Sequence, residues 1–140
     1  MIRRAKIQDI NAIIELENNY LESSLGYEMI EEEINRNVIT FLVEEKDEKI
    51  IGYISGFFLD GIGEIYNFVV DEAYQRKGIG TALLNELIII NNAKEIMLEV
   101  DEQNIKGLNF YLKHDFKQIT LRKNYYQNGN NAVVLKKVIR

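Results

Sequence analysis

VDEAYQRKGIGTA, residues 70–82, is the stretch on which the fold turns. Before it, EIYNFVV (Glu64 to Val70) is an aromatic and β-branched run. After it, Gly78 to about Ile90 places Leu83, Leu84, Leu87 and Ile88 on one helical face. A strand therefore ends, a loop carries Gln75-Arg76-Lys77-Gly78-Ile79-Gly80, and a helix begins. The first amides of a helix lack intrahelical acceptors, and glycines let them approach an anion closely. Arg76 and Lys77 add positive side chains in a chain of formal net charge −5. That combination suits a pyrophosphate. A Walker loop is excluded, because no Gly-Lys-Ser or Gly-Lys-Thr occurs. A dinucleotide-binding turn is a closer competitor, with Gly78-Ile79-Gly80 as its first half and Glu99 about 20 residues on. Leu83 stands where its third glycine belongs, however, and Asp71 to Lys77 separate strand from glycine. A glycine that merely closes a turn is the third reading the motif leaves open.

Outward from this loop, TFLVE (Thr40 to Glu44), IIGYISGFFL (Ile50 to Leu59) and EIYNFVV are joined by short polar turns and read as an antiparallel meander. Ile2 to Ala5 is a short first strand. Asp9 lies in the first turn of a helix whose apolar face is Ile10, Ile13 and Ile14. Ile30 and Ile34 mark a second, acidic helix ending near Asn37. IMLEVD (Ile96 to Asp101) is a strand, Asn104 to Lys113 a helix, and Phe116 to Arg122 and Ala132 to Lys137 two closing strands. The order β-α-α-β-β-β-α-β-α-β-β predicts an α/β (α+β) protein with a mixed, mostly antiparallel sheet. Right-handed crossovers put helices on both of its faces. One domain, 1–140, is expected from a length that supports a single core.

The absence of cysteine excludes disulfides, thiolate nucleophiles and cysteine zinc sites, and the one histidine, His114, cannot build a His-rich metal centre. The negative net charge argues against nucleic acid as partner and favours a protonated amine or basic peptide. Charged and polar residues interrupt every apolar run, which predicts no signal peptide, no membrane span and a cytoplasmic protein. On strand IMLEVD, Glu99 alternates with Met97 and Asp101, opposite Ile96, Leu98 and Val100. It reads either as part of a solvated face or as a base, with Asp101 as a second candidate. Tyr111 lies near the apolar stripe of its helix, either as a core tyrosine or as a phenolic proton donor. Asn104 suits a helix N-cap.

Gln75-x-x-Gly78-x-Gly80 behind EIYNFVV resembles the coenzyme A pyrophosphate loop of the GCN5-related N-acetyltransferase (GNAT) family. IYNFVVDEAYQRKGIGTALL, LEVDEQN, FYLKHDF and RKNYY are together similar to bacterial ribosomal-protein alanine N-acetyltransferases. The resemblance implies an acetyl-coenzyme A-dependent enzyme acting on an amine, such as the N-terminus of a ribosomal protein, without a metal. It places Gln75, Arg76, Lys77, Gly78, Ile79, Gly80 and Thr81 around the pyrophosphate. Phe68, Val69 and Val70 hold the cofactor arm and polarise the acetyl carbonyl, and Asn104 adds a contact. Glu99 becomes the base, acting through water, and Tyr111 the acid. Tyr125 and Tyr126 lie near the acceptor, and Tyr20, Glu22 and Tyr27 are further candidates there. The sheet is expected to splay near Asn67 to Val70. His114 is expected as a surface residue at a helix end.

The acceptor side departs from the family. Leu21 to Tyr27 replaces a Phe-Pro-Trp type loop, Asp115-Phe116 replaces Gly-Phe, and Asn130-Asn131 replaces an acidic pair. A lysine or small-molecule amine therefore stays open as acceptor, as does a non-catalytic acetyl-coenzyme A sensor.

Overall fold

A computed structural model describes residues 1–20 and 26–140. Seven strands form one sheet in the order β1-β2-β3-β4-β5-β7-β6. They are β1 (Ile2–Arg4), β2 (Ile39–Lys46), β3 (Lys49–Leu59), β4 (Ile62–Val70), β5 (Glu95–Asp101), β6 (Lys117–Arg122) and β7 (Ala132–Val138). Every neighbouring pair is antiparallel except β4–β5. The helices are α1 (Ile10–Tyr20), α2 (Tyr27–Asn35), α3 (Ile79–Ile90) and α4 (Ile105–Lys113). This is the mixed, mostly antiparallel architecture expected from the element order.

Strand alternation divides the interior in two. On β2 and β3, Leu42 and Ile54 join Leu83, Leu84 and Leu87 of α3, together with Ile96, Leu98 and Val100 of β5. Their immediate neighbours Phe41, Val43 and Tyr53 point the other way and pack on Ile10, Ile13 and Leu16 of α1 and Ile30 of α2. The helices thus cover both faces. Asp9 ends a short 3-10 turn ahead of α1, where its carboxylate takes a forked pair of bonds from Arg3, at 2.8 and 2.9 Å. Beneath α1 and α2 the Tyr53 hydroxyl donates to Glu17 Oε2 at 2.7 Å. Glu33 lies beside this pair with a buried Oε1 that finds no hydrogen-bond partner among the described residues. Burial, and then the Glu17 charge, raise the Glu33 carboxyl above the ordinary range.

Element bounds shift by a residue or two from the sequence expectation, and one shift bears on the site. β6 begins at Lys117, because Phe116 folds back on the end of α4: its N–H returns to Tyr111 O at 3.0 Å and its ring is fully buried. Asp115, which stands where the family carries glycine, takes the left-handed conformation (φ 68°) that ends the helix. The later strand, β7, inserts between β5 and β6.

Candidate active site

The parallel ladder between β4 and β5 is short. It joins Ile62↔Glu95, Gly63↔Ile96 and Glu64↔Met97 and then stops. A register shift in β3–β4 lies alongside, with Ser55 opposite Asn67 and Gly56 opposite Ile65, so Tyr66 is an extra residue on β4. A bulge of this kind bends its strand and turns it from a neighbour. From Ile65 to Val70, β4 is paired with β3 alone. The expected splay is therefore present, and its edge lies at Glu64.

The loop that follows is built by side chains. Asp71 accepts from Ala73 N at 3.0 Å and opens the 3-10 turn Glu72–Tyr74. Tyr20 locks this turn to α1: its hydroxyl donates to Asp71 Oδ1 at 3.0 Å and accepts from Glu72 N at 2.8 Å. Tyr20, expected near the acceptor, thus has a structural task at the loop. Gln75 also holds the loop together, donating from Nε2 to Val70 O at 2.9 Å. Arg76 and Gly78 both have positive φ, 64° and 82°. Ala82 N makes the first intrahelical bond, to Gly78 O at 2.9 Å, so the amides of Ile79, Gly80 and Thr81 precede the helical ladder. Lys77 and Lys46 each place Nζ 5.6 Å from the centroid of the Tyr74 ring. Gly80 has a packing reason as well, since a Cβ there would lie 3.2 Å from Phe110 Cε1. Thr81 Oγ1 is 3.0 Å from His114 Nε2, so this histidine joins α4 to α3 rather than standing apart on the surface.

Asn104 caps α4, its Oδ1 accepting from Gly107 N at 3.0 Å. Further along the helix, the Tyr111 ring sits among Phe116 (5.3 Å between centroids), Phe110 (5.5 Å) and, across the seam, Phe68 of β4 (6.3 Å). Burial raises its hydroxyl well above the ordinary phenol range. A phenol so placed stays protonated and available as a donor.

On the other face of β5, Glu99 lines a cavity of about 270 Å³ with Phe57, Ile62, Glu64, Met97 and Arg122. Arg122 Nε lies 3.2 Å from Glu99 Oε1, and its guanidinium carbon 5.8 Å from the Tyr125 centroid. The sequence reading missed Glu64 and Arg122. Partial desolvation and then the Glu99 charge raise the Glu64 carboxyl, while Arg122 opposes the rise. The carboxylate of Glu99 raises the Tyr125 phenol, and burial, Asp101 and Glu99 push Tyr126 up to about 12. The two tyrosine rings meet edge to face at 5.1 Å. Asp101, the second base candidate, has both oxygens engaged, accepting from Gln103 N at 2.9 Å and Asn130 Nδ2 at 3.1 Å. Asn131 accepts from Asn124 N at 2.9 Å, so the Asn130-Asn131 pair braces the loop that carries Tyr125 and Tyr126. Tyr27 is exposed at the start of α2, and Glu22 lies outside the described residues.

The structure thus brings Phe68, Tyr111 and the α3 start together on one side of the seam, and Glu64, Glu99, Arg122 and Tyr125 on the other. Residues 7–116 match the model of the Acetyltransferase (GNAT) family. The chain is 31% identical to an N-alpha-acetyltransferase of Sulfurisphaera tokodaii, over 96% of this chain and 90% of that one. It is 27% identical to a putative ribosomal protein bS18-alanine N-acetyltransferase of Bacillus subtilis, over 96% and 92%. Among solved structures, Ard1 from Thermoplasma volcanium superimposes with a TM-score of 0.90 at 25% identity, covering 100% of this chain and 97% of that one.

Proposed function

The chain belongs to the acetyltransferase (GNAT) family, and from that premise we propose that it acetylates the α-amino group of a protein N-terminus, using acetyl-coenzyme A. The observation that carries this reading is the seam between β4 and β5. It opens beyond Glu64, with a carboxylate-lined cavity on one face and a partly buried tyrosine on the other. The residues fit the cofactor: the amides at the start of α3 have no intrahelical acceptor, and Gly78 holds a left-handed turn with nothing within 4 Å of the place a Cβ would take. Ile79, Gly80 and Thr81, with Arg76 and Lys77, would hold the pyrophosphate. Phe68, Val69 and Val70 would flank the pantetheine arm, and Asn104 would meet it at the head of α4. Gln75 acts there by fixing the end of β4.

The cofactor supplies a thioester-activated acetyl group. Glu99 takes the proton from the acceptor ammonium, directly or through water, and Glu64 adds negative charge that favours a cation in the same cavity. An α-amino group titrates near about 7.7–8.0, so a modest base suffices. Tyr111 would donate its proton to the sulfur as it departs, and a β4 amide at the seam would hydrogen-bond the acetyl carbonyl oxygen. Tyr125 and Tyr126 form the rim over which the acceptor enters.

The test is incubation with acetyl-coenzyme A and a panel of peptides varied at the first residue, among them alanine-first peptides of ribosomal type. Nα-blocked lysine peptides and polyamines complete the panel. Mass shifts confined to free N-termini support the reading. Turnover of lysine or polyamine alone overturns it.

A further inference from the structure

His114, the chain's one histidine, stands at the joint between α3 and α4. It caps α4, its ring centroid lies 4.4 Å from that of Phe110, and its Nε2 is 3.0 Å from Thr81 Oγ1. Lys137 Nζ donates to its carbonyl at 2.7 Å and fixes the end of the helix. Phe110 closes on Gly80, the residue before Thr81. Thr81 is the third residue of α3, so its hydroxyl belongs to the same turn as the amides assigned to the pyrophosphate.

A hydroxyl has one proton to give and an imidazole nitrogen either donates or accepts. With Thr81 donating to Nε2, the imidazole carries its proton on Nδ1. A phosphate oxygen that takes the Thr81 proton reverses the direction, and Nε2 must then donate to Oγ1. We infer that His114 is a positioning residue for the cofactor's pyrophosphate, acting through Thr81 with Nε2 protonated whenever the anion is bound. The inference rests on the reading of the glycine loop as the coenzyme A site.

The imidazolium supplies that Nε2 proton without a change of tautomer, and it brings a positive charge one residue from the anion. Anion binding therefore raises the proton affinity of His114, and protonation tightens the anion by the same factor. Facing the ring are Lys137 from β7, Lys113 from α4, Asp115 from the turn beyond it and Thr81 from α3. Burial first, then the two lysines, hold the imidazole below its ordinary range, against Asp115. The linkage should therefore show on the acid side of neutrality.

A single histidine gives a single Cε1–H resonance, so its titration can be followed by NMR without assignment. The probe is dephospho-coenzyme A, which keeps the pyrophosphate and lacks the 3′-phosphate that itself titrates near about pH 6. Saturation should raise the His114 pKa by about one unit, an about tenfold preference of the probe for the imidazolium form. Nitrogen shifts should report protonated Nε2. Thr81→Ser should keep the rise and Thr81→Val should lose most of it, leaving what the bare charge does at a distance, and calorimetry on His114→Gln should lose the tightening at acid pH. Two results overturn the inference: probe bound by calorimetry with an unmoved His114 titration, or a full rise in Thr81→Val. Failure of the wild type to bind the probe would instead remove the loop reading, and this inference with it.

Discussion

Arg122 reaches Glu99 over an intervening strand: Nε lies 3.2 Å from Oε1 although β7 separates β6 from β5. One guanidinium thereby serves two carboxylates and a phenol, since it also opposes the rise of Glu64 and approaches the Tyr125 ring. Arg122→Met leaves Glu64 and Glu99 as like charges in one cavity. Glu64 should then titrate at a higher pH. The acid limb of kcat/KM for the acceptor peptide should move upward with it, while activity above neutrality is largely kept. A profile superimposable on the wild type would show that the guanidinium does not tune this cavity.

Glu99→Gln and Tyr111→Phe should fail differently. Loss of the base is felt most where the acceptor is an ammonium, so Glu99→Gln should recover partly as pH rises above the amine's pKa. Tyr111→Phe removes the donor to the leaving thiolate, and raising pH should not help. Each loss should be about 10²–10⁴-fold in kcat, with acetyl-coenzyme A binding nearly unchanged by calorimetry. Full turnover by both variants would reduce the mechanism to positioning and backbone amides.

Gly78→Glu should abolish acetyl-coenzyme A binding with the fold intact by circular dichroism. The substitution strains a left-handed residue (φ 82°) and sets a carboxylate where an anion is to sit. Gly78→Asn, which tolerates that backbone, should keep most of the affinity. Equal affinities for Gly78→Glu and wild type would remove the loop from the site.

Glu33→Gln should stabilise the protein at neutral pH. The wild-type carboxyl is raised in the fold, so what it contributes is present at low pH and is lost as pH rises through its folded pKa. Glutamine carries no charge to desolvate and none to repel Glu17. Thermal unfolding at pH 8 should show a gain of a few degrees that shrinks toward zero by about pH 4, where the Glu33 carboxyl is itself protonated in the fold. A loss of stability at pH 8 would mean that the Glu33 charge has a partner that offsets its burial.

Local pattern made the elements legible, and topology hid the contacts. The alternation in IMLEVD put Glu99 on the face opposite Leu98 and Val100, where it stands. Glycine at a strand-to-helix junction located the loop, and Asn104 caps α4 as its residue type suggested. Arg122 was not legible as a partner of Glu99, because 22 residues separate them in sequence and the pairing depends on β7 inserting between their strands. Glu64 could have been found by the argument used for Glu99, as a carboxylate in a strand beside apolar alternation. Thr81 and His114 meet because α3 and α4 pack on the same sheet face, which no spacing encodes.

The three residue pairs that join β4 to β5 also define how the molecule can deform. β1 to β4 form one hydrogen-bonded plate and β5, β7 and β6 another, riveted at the Ile62–Glu64 end and unlaced at the other. Parting the free end breaks no backbone ladder, so what holds the plates together there is the side-chain core under α3 and the contact of Phe68 with Tyr111. A thioester arm laid along the free end would lace them. The amides of Phe68 and Val70, which alternation from the Asp71 N to Ile51 O bond turns toward the seam, should then exchange with solvent slowly in the loaded protein and quickly in the free one, while those of Gly63 and Glu64 stay slow in both.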